Sequence, residues 1–140
     1  MLKVKKLTET AILPTRGSRL AAGLDLYADE DATIHDFMAT AVGTGLAFEI
    51  PEGYFGMVCS RSGQVYKHGI QVSNAPGIVD ADFRGEVKVL LNCIYGHRDV
   101  KKGERIAQLL IMPYLDVDCE EAKDLSNTDR GNDGFGSTGQ

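Results

Sequence analysis

The chain has 140 residues, of which 43% are hydrophobic and 25% are charged, and its formal net charge at pH 7 is −5. This length and composition predict one globular domain with its own hydrophobic core. An acidic surface repels a polyanion, so the sequence disfavours nucleic acid as a partner.

The cysteines and the amino terminus indicate the compartment. Three cysteines, Cys59, Cys93 and Cys119, are widely spaced and form no C-x-x-C pair, which supports neither a disulfide framework nor a zinc site. The first residues, MLKVKKLTET, lack the apolar stretch of a secretory signal, and no apolar run approaches the length of a membrane span. We expect no membrane partner and a cytoplasmic protein, or one inside a host cell if the chain is viral.

Short strand-forming runs separated by Gly, Pro, Asn and Asp recur along the chain. The clearest predicted strands cover residues 2–6, 24–27, 46–50, 54–59, 86–92 and 106–113. In EVKVLLNC, alternate residues Val87, Val89 and Leu91 fall on one face, as in a strand with one buried side. The run QLLIMPY is apolar on both faces, which predicts an interior strand. With one short helix at 62–67, this pattern indicates an all-β barrel or sandwich.

The composition changes after about residue 123. The segment DLSNTDRGNDGFGSTGQ contains only two sizeable apolar side chains, Leu125 and Phe135. Ordering a backbone costs roughly 1 to 2 kcal/mol per residue, which so little apolar surface does not offset. We therefore divide the chain into a folded domain, 1–123, and an arm, 124–140, that a ligand or a neighbouring subunit could order.

The arm contains GFGSTG, which fits the dinucleotide-binding pattern G-x-G-x-x-G. In a Rossmann unit a helix follows these glycines, but here only Gln140 follows. Position alone excludes that interpretation. A disordered glycine-rich tail and a flap that closes on a phosphorylated ligand both remain open.

In CSRSGQVYKHGI a strand leads to Arg61, Ser62 and Gly63 where the short helix begins. A guanidinium, a hydroxyl and a backbone amide at one point suit phosphate oxygens. The structural alternative is an N-cap serine beside a solvated arginine.

In NAPGIVDADFRGE, Pro76 and Gly77 mark a turn, and Asp80 and Asp82 would share one face of any strand that follows, with Phe83 on the other. Asp80 could act as a general base on water. Alternatively, it is a loop aspartate in an Asx turn.

Two polar residues interrupt apolar strands, Asp25 in AAGLDLYA and Gln108 in GERIAQLLI. A buried carboxylate needs a partner, so we expect Asp25 to meet either an arginine or a hydrated magnesium ion. Gln108 could simply satisfy backbone groups. The histidines at 35, 68 and 97 show no ligand spacing and are expected at the surface or in loops.

Taken in order, AGLDLYA, SRSG followed by KHGI, NAPGIVDADFRGE, GERIAQLLI and RGNDGFGSTG resemble the five motifs of the trimeric deoxyuridine triphosphatases, or dUTPases. The resemblance spans residues 21–139. It implies an all-β, distorted jelly-roll fold with a flexible C-terminal arm, and a homotrimer whose active sites each draw on three chains. The implied reaction is hydrolysis of dUTP to dUMP and pyrophosphate, which limits uracil incorporation into DNA and supplies dUMP for dTMP synthesis.

The resemblance also implies a role for each matching residue. Asp80 matches the catalytic aspartate that activates water for attack on the α-phosphorus. Uracil would be read by Asn74 and by backbone groups of Gly77, Ile78 and Val79, while Phe83, where the family usually has Tyr, would lie under the deoxyribose and exclude a 2′-hydroxyl. The phosphates would be contacted by Arg61, Ser62, Gly63 and Gln108, and Lys88 would line the site.

The implied cofactor is Mg²⁺, held mainly by phosphate oxygens and water, with Asp25 as an outer-shell partner through water. The arm would close over bound nucleotide. In that closed state Phe135 stacks on uracil, and the β- and γ-phosphates are contacted by Arg130, Gly134, Gly136, Ser137 and Thr138.

Two other functions fit parts of the pattern. Deoxycytidine triphosphate deaminases share the architecture but use a glutamate near the third motif, where this chain has Asp80. A nucleotide-sensing module could use the same pocket to signal through a partner protein. Asp80 and the glycine-rich fifth motif favour the phosphatase.

Overall fold

The computed structural model describes residues 1–134, and all elements below lie in that range. The strands are β1 (Lys3–Lys6), β2 (Leu24–Tyr27), β3 (Ala32–His35), β4 (Thr40–Gly43), β5 (Leu46–Glu49), β6 (Tyr54–Cys59), β7 (Ile70–Val72), β8 (Gly77–Val79), β9 (Lys88–Cys93), β10 (His97–Val100) and β11 (Arg105–Pro113). Within the same range one helix, α1 (Ser62–His68), lies between β6 and β7.

The six predicted strands and the predicted helix are all present, with small differences at their ends. The sequence analysis missed five strands, β3, β4, β7, β8 and β10. Each is only three or four residues long. Runs that short hold about two alternations, which do not separate a strand from a loop by periodicity.

The strands form small antiparallel sheets around one core. Within residues 1–134, the largest sheet has the strand order β2-β11-β6-β8, and a second sheet has the order β4-β9-β7. Two-stranded pairs, β1-β5 and β3-β10, complete the described architecture. β11 lies between β2 and β6, which confirms the interior position predicted from its apolar faces.

The core is made of the inward-facing residues of these strands. Val87, Val89 and Leu91 are 3%, 1% and 0% exposed, which confirms the predicted buried face. They pack in one cluster with side chains such as Leu26 and Leu109. Burying a side chain of this size contributes roughly 1.5 to 3 kcal/mol.

Gly56 leaves room for the side chains that pack over the β6–β8 pair of the large sheet. A methyl carbon at Gly56 of β6 would lie 3.0 Å from both Ile50 Cδ1 and Leu109 Cδ1, and 3.2 Å from Val79 Cβ. Glycine therefore lets β6 and β8 pack closely. This contact positions the residues that follow β8, including Asp80.

Residues 114–134 follow β11 without a helix or strand. Their large apolar side chains are exposed, with Leu115 at 82% and Leu125 at 87%. The division into a domain of residues 1–123 and an arm of residues 124–140 stays a prediction. In the described part of the chain, no helix has the length and apolar character needed to cross a bilayer.

Candidate active site

Asp25 forms the centre of a polar cluster at one end of the large sheet. Arg61 Nε donates to Asp25 Oδ1 at 2.8 Å, and Arg105 Nη1 donates to Oδ2 at 3.3 Å. Only 8% of Asp25 is exposed. The predicted arginine partner is therefore observed, and a second arginine that the sequence analysis did not identify joins it.

The register of β11 explains why these side chains meet. Gln108 is paired with Asp25 of β2 on one side and with Cys59 of β6 on the other. Its Nε2 donates to Ser60 O at 2.9 Å, so Gln108 satisfies a backbone carbonyl, as the structural alternative proposed. A methyl carbon at Gly23, just before β2, would lie 3.1 Å from Gln108 Cβ and 3.2 Å from Gln108 Cδ, so the glycine leaves room for this side chain.

The start of α1 differs from the predicted N-cap. The N-cap residue is Arg61, with φ −94° and ψ 125°, and no side chain caps the helix. The interpretation of Ser62 as an N-cap serine is therefore wrong, because Ser62 is already the first helical residue. Gly69 ends the helix in the left-handed region at φ 67°. Ser62 and Gly63 are exposed at the helix start.

We call the residues at this end of the sheet the arginine cluster. Its members are Asp25, Arg61, Arg105 and Gln108, together with Ser62, which follows Arg61 at the start of α1.

A second group of predicted residues lines a cavity of about 360 Å³, which we call the hairpin pocket. Its walls come from the end of β7, from β8 and from the start of β9. Lining residues are Asn74, Ile78, Val79, Asp80, Phe83, Glu86, Val87, Lys88 and Leu90. The structure thus brings together the predicted uracil, sugar and catalytic residues of the third motif, with Lys88. Gly77, the remaining predicted uracil residue, opens β8 beside the pocket, and a methyl carbon there would lie 3.3 Å from Asn74 Nδ2.

Asp80 and Phe83 lie in a turn rather than in a strand. Phe83 N donates to Asp80 O at 3.2 Å, and β9 begins only at Lys88. The alternation expected for a strand does not apply to these residues, because they lie between β8 and β9. Among the described residues, the Asp80 side chain accepts no hydrogen bond, so the Asx-turn alternative is not observed there.

Asp80 also borders a larger cavity on the other side of the turn. This cavity has a volume of about 650 Å³. Its lining residues are Glu52, Phe55, Ile78, Asp80, Ala81, Asp82 and Tyr114. Asp80 is exposed, so its carboxylate is open to solvent where the two cavities meet.

The charges of the hairpin pocket do not suit a triphosphate. Among the described residues that line it, Asp80 and Glu86 are acidic and Lys88 is the one cation. Lys88 Nζ already lies 3.7 Å from Glu86 Oε2. Glu86 Oε1 accepts a hydrogen bond from Gly45 N at 2.9 Å, which fixes the carboxylate. Phosphate groups would find their positive partners in the arginine cluster instead.

The hairpin pocket and the arginine cluster lie at opposite ends of the β6–β8 pair. Gly56 is paired with Val79 and Val58 with Gly77, so Asp80 follows the pair at one end and Arg61 follows it at the other. Six residues at about 3.3 Å each place the two backbones on the order of 20 Å apart. Their side chains cannot meet around one phosphorus within a single chain.

The sequence analysis missed three residues that shape these sites. Arg105 binds Asp25, Glu86 fixes the loop at Gly45, and Gly85 lies beneath the Phe83 ring. Arg105 and Glu86 act through cross-strand contacts, which no local spacing reveals. The run FRGEV does place a glycine two residues after an aromatic residue, and that signal could have identified Gly85.

The predicted arm residues are only partly described. Arg130 is exposed, and its Nε donates to Asp133 O at 2.8 Å. Gly134 is the last described residue. Phe135, Gly136, Ser137 and Thr138 lie outside the described residues. The assignment of these positions to a closing arm stays a prediction.

The cysteines and histidines lie outside the two sites described above. The three cysteines are free. His35, His68 and His97 are exposed, although His35 and His97 face each other on β3 and β10 rather than lying in loops. Within residues 1–134, no group of three or more His, Cys, Asp or Glu side chains is arranged to hold a metal ion.

Comparison with known proteins identifies the class to which this fold and these sites belong. A profile of the dUTPase family matches residues 9–139. The deoxyuridine 5′-triphosphate nucleotidohydrolase of Nautilia profundicola is 48% identical over 140 residues, which is 99% of each chain. The enzyme of the same name from Paramecium bursaria Chlorella virus 1 is 43% identical over 139 residues, covering 99% of this chain and 97% of the viral one.

The fold leads to the same family. The dUTPase of Staphylococcus bacteriophage 80alpha, solved with dUPNHPP, superposes with a TM-score of 0.93 at 28% identity, covering 100% of this chain and 99% of the phage chain. This likeness confirms the predicted all-β, jelly-roll class. The chain belongs to the dUTPase family. It is accordingly a hydrolase of nucleotide metabolism with the activity of a dUTP diphosphatase.

Proposed function

We propose that this chain converts dUTP and water to dUMP and pyrophosphate through a water molecule that Asp80 activates. The observation that carries this proposal is the position of Asp80. Its exposed carboxylate borders the same pocket as Asn74, Phe83 and Lys88. A base must reach the proton that it removes, and the edge of a nucleoside-sized pocket is where the first phosphate of a bound nucleotide would lie.

The proposed step is in-line displacement at phosphorus. Asp80 accepts a proton from water, the water oxygen forms a bond to the α-phosphorus, and the bond from that phosphorus to the bridging oxygen breaks. Pyrophosphate leaves with the electron pair of that bond. Donors aimed at the phosphoryl oxygens stabilise the charge that develops there.

We propose that the walls of the hairpin pocket select uracil and deoxyribose. Asn74 and the backbone groups of Gly77, Ile78 and Val79 lie where a pyrimidine edge could be read. Rigid walls of this kind exclude a 5-methyl group by sterics. Phe83, 44% exposed, presents a ring face to the sugar and leaves little room for a 2′-hydroxyl.

We propose that the arginine cluster of a neighbouring subunit binds the triphosphate. Arg61 supplies a guanidinium, Ser62 a hydroxyl and Gly63 a backbone amide, and amides in the first turn of a helix have no acceptor within it. Gln108 is the fourth donor, although its amide now bonds to Ser60 O. The separation of about 20 Å from Asp80 supports a site shared between chains. We propose a homotrimer.

Mg²⁺ fits this arrangement as an ion held through water. Each oxygen of Asp25 accepts one bond from an arginine and retains a further lone pair that a metal-bound water could use. Magnesium keeps several waters and binds phosphate oxygens readily. When bound, the ion would neutralise charge on the three phosphates, and Asp25 would orient one of its waters.

The arm, residues 124–140, is proposed to close over the bound nucleotide and exclude bulk water. Arg130 and Gly134, with Phe135, Gly136, Ser137 and Thr138, are its proposed contacts. The proposed physiological role is to limit uracil incorporation into DNA and to provide dUMP for dTMP synthesis. We propose a cytoplasmic location, or an intracellular one in the host if the source is a virus.

Product analysis tests the reaction. Purified protein with Mg²⁺ and dUTP should release pyrophosphate and dUMP. With dCTP it should release no ammonia, which distinguishes it from a deaminase. Binding of dUTP without release of either product would instead favour a nucleotide-sensing module and contradict the proposed reaction.

Subunit mixing tests the shared site. Asp80→Asn and Arg61→Ala should each be inactive alone. When the two are unfolded together and refolded, about a quarter of the sites in randomly assembled oligomers combine an intact Asp80 with an intact Arg61 from another chain. Recovered activity supports the shared site, whereas a mixture as inactive as its components would contradict it.

A further inference from the structure

The Phe83 ring rests directly against Gly85. A methyl carbon added at Gly85 would lie 2.7 Å from Phe83 Cζ, 3.0 Å from Cε2 and 3.5 Å from Cε1. Contacts under 3.0 Å between carbon atoms are strongly repulsive, so the ring could not keep its position over any larger residue. The ring and the glycine backbone therefore form one packed unit at the tip of the hairpin.

The backbone that carries this ring is held in place by other bonds. Phe83 N donates to Asp80 O at 3.2 Å. Arg84 Nη1 donates to Ala81 O at 2.5 Å and to Phe83 O at 3.0 Å. With its backbone fixed in this way, the ring position depends on the surface beneath it. Gly85 provides that surface.

Gly85 is not required by its backbone conformation. The glycines in the left-handed region of the described chain are at positions 45, 53, 69, 96, 103 and 131, and Gly85 is not among them. Alanine could adopt the same backbone angles. The three atoms nearest to such a methyl carbon all belong to the Phe83 ring, which can rotate away. The missing side chain therefore serves the ring and not the turn.

We propose that Gly85 is a specificity-determining residue that sets how deeply Phe83 lies in the hairpin pocket, and hence how much room remains at C2′ of the sugar. The inference rests on the proposed function, in which Phe83 excludes the 2′-hydroxyl. A methyl carbon at position 85 would lie 2.7 Å from the ring, and an ordinary contact of 3.4–4 Å requires the ring to move by about 1 Å. Displacements near 1 Å are enough to change reaction rates by large factors.

The test compares kcat/KM for dUTP and UTP in five proteins. These are the wild type, Gly85→Ala, Phe83→Ala, the double variant of those two, and Gly17→Ala. Gly17 is a matched control, since a methyl carbon there would meet nothing within 4 Å. Gly85→Ala should change the ratio of kcat/KM for dUTP to kcat/KM for UTP by at least about tenfold, the scale on which pocket walls discriminate. Gly17→Ala should keep the wild-type ratio.

The double variant decides whether Gly85 acts through the ring. It should have the same ratio as Phe83→Ala, because no ring remains to be displaced. An unchanged dUTP-to-UTP ratio in Gly85→Ala overturns the inference. So does a double variant whose ratio differs from that of Phe83→Ala by as much as Gly85→Ala differs from the wild type. If Gly85→Ala fails to fold, the double variant should fold, and an unfolded double variant also overturns it. Absence of dUTP hydrolysis by the wild type would instead refute the proposed function.

Discussion

Asp25 Oδ1 accepts a hydrogen bond of 2.8 Å from Arg61 Nε, and this contact joins the middle of β2 to the residue that caps α1. Arg105 approaches the other oxygen at 3.3 Å. One carboxylate therefore holds two guanidinium groups close to each other. In the proposed reaction Arg61 binds phosphate, so Asp25 also determines where that charge is presented.

Removal of the Asp25 carboxylate should destabilise the fold. Asp25→Ala leaves two arginines side by side without an anion. Breaking a buried pair costs about 3 to 5 kcal/mol in the free energy of unfolding, and the partial exposure of both arginines places this case at the low end. Urea denaturation measures this change. The matched control is Glu49→Ala, which breaks the exposed Lys3–Glu49 pair of 2.7 Å and should leave the free energy of unfolding unchanged. Equal losses in the two variants would contradict the assignment.

Asp80→Asn should abolish turnover of dUTP while preserving nucleotide binding. The amide keeps the size of the side chain but cannot accept the proton, and loss of a general base lowers kcat by about 10² to 10⁴. Steady-state kinetics and titration with a non-hydrolysable analogue measure the two effects. Asp82→Asn, in the same turn, should remain close to wild type. If Asp80→Asn loses binding instead, Asp80 has a structural role.

A chain that ends at Lys123 should fold normally and lose most of its activity. The described residues of the core cluster and its partly buried neighbours end at Ile111, so the truncation removes no packed side chain among them. Without a closing arm, kcat/KM for dUTP should fall about 100-fold. The midpoint temperature of thermal unfolding should be the same as that of the full chain. Full activity in the truncated protein would show that the arm is not a lid.

Asp29 should contribute an acid-sensitive part of the stability. Burial raises the pKa of Asp29, but hydrogen bonds from Thr8 and Thr10 and the nearby Lys102 outweigh it, so the pKa lies below the ordinary 3.8. Its stabilisation is therefore complete above pH 3.8 and is lost as the pH falls through the lower folded-state value.

The measurement is thermal unfolding of the wild type and Asp29→Asn between pH 6 and about pH 3. The variant should be less stable at pH 6, and the difference between the two proteins should shrink as the pH falls. Asp118→Asn, on the exposed chain after β11, serves as the control and should match the wild type throughout. A difference that stays constant with pH would rule out ionised Asp29 as the cause.

The sequence by itself determined the all-β class, the interior position of β11, the short helix after β6 and the family, because alternation over six or more residues and ordered local motifs are properties of the chain. It also identified Asp25, Asp80 and Arg61 as residues with unusual positions. It did not decide their partners. Strands as short as β3 or β8 carry too little periodicity to be recognised.

Only the tertiary structure decided that Arg105 meets Asp25, that Asp80 and Phe83 share a turn, and that Asp80 and Arg61 lie at opposite ends of the β6–β8 pair. These relationships depend on cross-strand register, which is set by packing between segments far apart in sequence. The same holds for Gly85, whose function comes from the ring above it. A local pattern can specify a residue's chemistry, but the fold specifies which other groups that chemistry reaches.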